Sequence, residues 1–158
     1  MGYCIDIHDQ EFLLKKENKE GALAAIKELD PDKLGRGGRW EKGEQVERWF
    51  AWVDTDQYKN ANTLEEALIA WGWSSYVDDG VDDGDIDNLE FKNEKSGQDE
   101  LLFAAIAPFV EEGSHITMMG EDMDVWRWFF YDKRCFTQGA TMTFVFDEEG
   151  EEVVLNAD

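Results

Sequence analysis

Residues 114–132 read SHITMMGEDMDVWRWFFYD, and no other stretch narrows the fold as much. Two runs rich in β-branched and aromatic residues flank the acidic turn Gly120-Glu121-Asp122, which predicts an antiparallel hairpin. Side chains alternate along a strand, so Trp126, Trp128 and Phe130 share one face while Val125, Arg127, Phe129 and Tyr131 share the other. One face has to be core. The other, if left open, is an aromatic surface around Arg127 suited to a partner or to a homodimer seam. Arg127 is the only base between Lys95 and Lys133. A lone hairpin is marginal in water, so other elements must cover it.

The rest of the chain supplies them. Tyr3, Ile5 and Ile7 alternate with Cys4, Asp6 and His8, which is strand periodicity, and residues 11–15 continue or pair with that strand. Asn18 stands at the cap position of a helix over 19–29, with Leu23, Ile26 and Leu29 inward, and Asp30-Pro31 stops it. Residues 31–46, PDKLGRGGRWEKGEQV, are Gly-rich and basic and predict a flexible loop. The run 47–54, ERWFAWVD, is apolar on both faces, as in a strand covered on both sides. Thr63 and Glu66 form a capping box for a helix over 64–71, in which Leu64, Ala67, Leu68 and Trp71 follow helical spacing. Gly72 ends that helix. Residues 75–91 predict a second, acidic hairpin, with strands at 76–77 and 86–91 around two Asp-Gly steps. A helix over 99–112 turns Leu101, Leu102, Ala105, Ile106 and Phe109 inward; Pro108 kinks its last turn and Gly113 closes it. A last strand is expected at 141–146, with Met142, Phe144 and Phe146 inward. The acidic C-terminal tail, 147–158, offers a short further strand at Val153-Val154-Leu155. This order predicts one α+β domain over 1–158, a mostly antiparallel sheet with about three helices packed on one face.

Charge decides what such a fold can meet. The chain carries 37 acids against 15 bases, a net charge of −22. Residues 1–60 hold 13 acids and 10 bases, net −3, whereas residues 61–158 hold 24 and 5, net −19. That field repels nucleic acid and anionic membranes and speeds encounter with basic surfaces, so the expected partner is a basic protein, one that itself binds nucleic acid being the natural complement. With 7 Trp, 10 Phe and 4 Tyr the chain is too aromatic to be disordered. No stretch approaches the ~20 apolar residues of a membrane span. The start MGYCIDIHDQ has neither signal-peptide nor myristoylation features, and a cytoplasmic location is expected. Cys4 and Cys135 offer neither metal spacing nor a disulfide framework and should be reduced and unlinked.

Catalytic constellations are missing. Gly35-Arg36-Gly37-Gly38 lacks the spacing and the following helix of a phosphate-binding loop. Aligning the 78–87 loop with a calcium-binding EF-hand puts Val81 or Val77 where a ligand oxygen belongs. His8 and His115 have no partner at zinc-ligand spacing. Ser114 and His115 are adjacent on a strand and point to opposite faces, so they cannot act as a dyad. No catalytic residue, cofactor or metal site is expected. The candidate partner-binding residues are the acids of the two turns: Asp78, Asp79, Asp82, Asp83, Asp85 and Asp87 in one, Glu121, Asp122 and Asp124 in the other. The plainer reading is that they are solvated turns.

The opening MGY and KKEN, the phrase LEEALIAWGW, and above all LLFAAIAPFVEEGSHITMMGEDMDVWRWFF resemble an uncharacterised family of small acidic proteins from Gram-positive bacteria, their phages and mobile elements. The resemblance runs in pieces from Met1 to about Phe130, and the acidic tail departs from it. It brings no catalytic residues; it implies a cytoplasmic, phage-linked accessory protein. Together with the charge it favours an acidic binding module, an inhibitor or nucleic-acid mimic of anti-CRISPR or other anti-defence type. The alternatives are an adaptor or assembly protein whose charge is only solubilising, and a weak divalent-cation binder using the 78–87 loop.

Overall fold

The 114–132 hairpin forms as expected and lies at the heart of the protein, whose computed structural model describes residues 2–75 and 84–155. Along the chain run β1 (Ile5–Glu11), α1 (Lys19–Lys27), α2 (Pro31–Leu34), β2 (Gly37–Glu41), β3 (Glu44–Trp49), α3 (Thr55–Lys59) and α4 (Leu64–Ala70). Then come β4 (Trp73–Ser75), β5 (Leu89–Phe91), α5 (Asp99–Ile106), β6 (His115–Gly120), β7 (Val125–Tyr131) and β8 (Arg134–Ala140). The main sheet has the order β1-β6-β7-β8, and the pairs β2-β3 and β4-β5 form two small sheets. Every pairing is antiparallel. The fold is α+β, as the element order predicts.

The inner face of the main sheet is the face of Trp128 and Phe130, joined by Ile5, Ile116 and Met118, all buried. Phe103 of α5 reaches down onto it, 4.9 Å from Trp128 and 6.1 Å from Phe130, and Trp73 packs edge-on against both Phe103 and Trp128. A second aromatic cluster, Phe50, Tyr58 and Trp71, holds α3 and α4 together. Such pairs add ~0.5–1.5 kcal/mol each beyond the area they bury. α1 and α4 are tied by Lys19 and Glu65, 2.5 Å apart and largely buried. The capping box is real: Thr63 Oγ1 accepts from the Glu66 amide at 3.2 Å, and Glu66 reaches back to the Asn62 amide at 2.8 Å. No helix among the described residues is long and apolar enough to cross a membrane. Cys4 and Cys135 are not linked.

Several expectations are corrected. Residues 31–46 are no loop: Asp30 caps the short α2, and β2 and β3 form a hairpin. The strand expected over 47–54 ends at Trp49. It belongs to this two-stranded ribbon, against which the short α2 packs, and Trp49 and, beyond the strand, Trp52 are exposed. Asn18 makes no cap bond and instead donates to the Phe109 carbonyl at 3.4 Å. The helix expected over 99–112 ends at Ile106 and passes into a 3-10 turn at Ala107–Phe109; the deeply buried ring of α5 is Phe103, while Phe109 in that turn is only half-buried. The strand at 76–77 lies outside the described residues, and the one expected over 86–91 begins at Leu89, with Ile86 forming a separate bridge to Leu14. The last strand is Arg134–Ala140, not 141–146; residues 141–155 form no strand and are exposed.

Candidate functional site

β1 gathers the acidic chemistry of the main sheet. Ile5 points inward, and its neighbour Asp6 outward. Between Ile7 and Asp9 the register shifts by a bulge, which inserts a residue and reverses the phase of the alternation. Asp6, Asp9 and Glu11 consequently share the outer face, opposite Met119, Thr117 and His115. All three are exposed. Without the bulge Asp9 and Glu11 would fall on the face of Ile5 and Ile7.

The predicted acids bracket this row. Pairing of Ile5 with Gly120 sets Glu121, Asp122 and Asp124, all exposed, at one end. There the Glu121 amide donates to the Cys4 carbonyl at 3.0 Å, and the Tyr3 hydroxyl bonds Asp122. Tyr3 crosses Gly120 so closely that any Cβ at that position would collide with its ring and hydroxyl. At the other end Glu11, Asp87 and Glu112 line a groove of about 580 Å³. Asp85 and Asp87 are exposed beside it, and Asp85 accepts the Lys16 amide at 2.8 Å. Asp78, Asp79, Asp82 and Asp83 lie outside the described residues.

The free side of β1 is tied to its neighbours at three points. Gln10 donates to the Leu89 carbonyl at 2.6 Å and accepts the Leu89 amide at 2.9 Å, so its side-chain amide imitates a strand peptide. Bridges from Cys4 to Lys95 and from Leu14 to Ile86 hold the chain just beyond the two ends of the strand, and between them Asp6, Ile7 and Gln10 line an open pocket with residues 88–91. The acids therefore project from a fixed ledge. Beneath them His115 sits 3.9 Å from Asp9 and 3.8 Å from Glu11, beyond hydrogen-bond reach. Ser114 Oγ is occupied by the Leu13 amide at 3.1 Å.

Across the outer face the residues align in rows, Asp9-Thr117-Arg127-Gln138 and Glu11-His115-Phe129-Phe136. Arg127 Nε donates to Thr117 Oγ1 at 3.2 Å, and none of the ion pairs among the described residues includes Arg127. Phe129 stacks on Phe136 with centroids 5.1 Å apart, and the Arg134 guanidinium lies over Phe136 at 5.3 Å. The face is thus acidic along β1 and aromatic with cations along β7 and β8. No group of three or more potential metal ligands comes together among the described residues. Burial pushes the Cys135 thiol up to about 12, which leaves it a poor nucleophile at neutral pH.

Sequence reasoning singled out the acids of the two turns, of which Asp85, Asp87, Glu121, Asp122 and Asp124 are exposed among the described residues, and passed over Asp6, Asp9 and Glu11, because a bulge leaves no mark in a periodicity count. It also missed the β2-β3 ribbon, on which Trp40 is 64% exposed. A signal for the ribbon existed in Lys42-Gly43, whose positive φ values of 51° and 83° make the two-residue turn typical of hairpins. Comparison with protein-family models, with curated proteins and with solved structures gives no match.

Proposed function

We propose that the protein is a non-catalytic binding module whose β1 row and flanking acidic turns engage the basic surface of a protein that itself binds nucleic acid. The observation supporting this reading is the row itself. Carboxylates line one face of a seven-residue strand, ~20 Å long at ~3.3 Å per residue, with further acids at both ends. Same-face neighbours on a strand lie ~6.6–6.8 Å apart, about two phosphate rises of a DNA strand at ~3.4 Å each. A groove built for a phosphate backbone can accept such a row. An inhibitory role of anti-CRISPR or other anti-defence type, in the phage-linked setting implied by the resemblance, is the finer form of this proposal. A second reading, an adaptor, is favoured by the exposed Trp40 of the β2-β3 ribbon, since exposed aromatics of this kind mark protein contacts.

The test is capture of partners from a lysate of the source cells on the immobilised full chain. The wild type should retain a basic protein that duplex DNA or added salt releases. The variant D6N/D9N/E11Q should lose most of it. Retention by the triple variant equal to the wild type, with no release by DNA, would reject the mimic and leave the adaptor.

A further inference from the structure

The two edges of the main sheet are not alike. β1 is tied to β5 on its outer side through Gln10, with a bridge just beyond each end of the strand. β8 is the opposite edge, and among the described residues no strand pairs with its outer side. A seven-residue edge with free amides and carbonyls is a template for another strand. The segment that follows is written as one: Met142, Phe144 and Phe146 alternate with Thr141, Thr143 and Val145, yet Phe146 is 89% exposed. Residues 140–147, ATMTFVFD, contain no Gly, Pro or Asn to turn the segment back onto its own edge.

We propose that the occupant of this edge is a second copy of the chain. β8 and its extension to about residue 149 pair antiparallel with the same segment of the partner, about a two-fold axis at Thr141. The register follows from chemistry. On β8 the even-numbered residues Arg134, Phe136 and Gln138 face outward with Arg127 and Phe129, and an extended continuation keeps Met142, Phe144 and Phe146 on that face. Of the registers that preserve this, the one centred on Thr141 alone sets Phe136 opposite a phenylalanine, Phe146, and Arg134 opposite a carboxylate, Glu148. It also sets Thr141 opposite itself; aromatic, opposite-charge and Thr-Thr pairs all favour antiparallel strands. The Phe129-Phe136 stack would thereby extend into the partner. In the single chain Arg134 lies over Phe136 and pairs with Asp132 at 3.1 Å, and that ion pair is exposed, a weak competitor. A pairing of this kind is isologous, so each contact occurs twice. Both β1 rows stay free at the outer ends of an eight-stranded sheet, and the inference does not depend on what they bind.

The experiment is sedimentation velocity of the full chain at about 0.5 M salt, where screening shortens to a few Å and mutes the repulsion between two copies of net charge −22. The wild type should dimerise. Phe146→Asp should weaken the dimer by about tenfold or more, since two aromatic pairs are lost at once. Arg134→Glu should weaken it as well, and Arg134→Glu combined with Glu148→Arg should restore it. Thr141→Cys should give a disulfide-linked dimer on mild oxidation that the wild type, with its native Cys4 and Cys135, does not. All four positions are exposed, so folding is checked by an unchanged far-ultraviolet spectrum. A wild type that stays monomeric under these conditions overturns the inference. So does a dimer indifferent to Phe146→Asp, or a charge swap that recovers nothing.

Discussion

Asp99 is a carboxylate with 5% of its surface exposed at the start of α5. Burial pushes its carboxyl above the ordinary range, against the opposing hydrogen bonds from the Trp73 indole at 2.9 Å and the Gly97 amide at 3.2 Å. A carboxyl with a raised folded-state value binds its proton more tightly folded than unfolded. Its contribution to stability is therefore complete below the ordinary carboxylate value and is lost as pH rises through the raised one. Asp99→Asn keeps an acceptor for Trp73 but cannot ionise. The difference in urea midpoint, wild type minus variant, should then fall as pH climbs from about 4 towards neutrality. A difference that stays flat would mean that Asp99 titrates alike in both states. Nothing in the sequence marks Asp99 as buried, because Gln98-Asp99-Glu100 reads like any acidic first turn. Only the indole of Trp73, 26 residues earlier, makes the position special.

Among the elements, α3 has the most influence for its size. Tyr58 donates to the Leu29 carbonyl at 2.7 Å and Lys59 to the Lys27 carbonyl at 2.5 Å, so this short helix caps the C-terminal end of α1 from the side. Tyr58→Phe keeps the ring in its cluster and removes only the donor. It should cost about 1–2 kcal/mol, several degrees of melting temperature by calorimetry; an unchanged melting temperature would show that water caps Leu29 equally well. The elements legible from sequence carried their instructions locally. α4 had Thr63 and Glu66 at its start and an apolar stripe behind them, and β6-β7 had a turn between two aromatic or β-branched runs. α3 had neither a stripe nor a recognised cap, although Asp54 does accept the Gln57 amide at 3.0 Å. The last strand lies wholly before the expected 141–146 for a related reason. An edge strand needs little burial, so RCFTQGA could serve, while the more strand-like 141–146 was left without a partner inside the chain. The acidic row was illegible because it depends on a register shift that only the pairing of β1 with β6 imposes.

Taken whole, the molecule folds against its own charge. At net −22 with few close ion pairs along β1, like charges repel more in the compact state than in the open chain. Melting temperature should rise by several degrees as salt goes from about 0.01 M to physiological strength, where the screening length falls from ~30 Å to ~8 Å. D6N/D9N/E11Q should melt no lower than the wild type and should show a smaller rise; a lower melting temperature would mean that the row supports the fold. The sheet order has another consequence, one of timing. β1 is made before every other strand described, yet its partner β6 lies more than a hundred positions later: Glu11 waits for His115, and Ile5 for Gly120. At ~5–20 residues per second the ribosome needs roughly 5–20 s to deliver that partner. Within the meander β6-β7-β8, by contrast, each pairing joins near neighbours and can close as it emerges. Of the strands described, the one synthesised earliest therefore waits longest for its sheet partner, and it stays unpaired with β6 while more than a hundred residues are added.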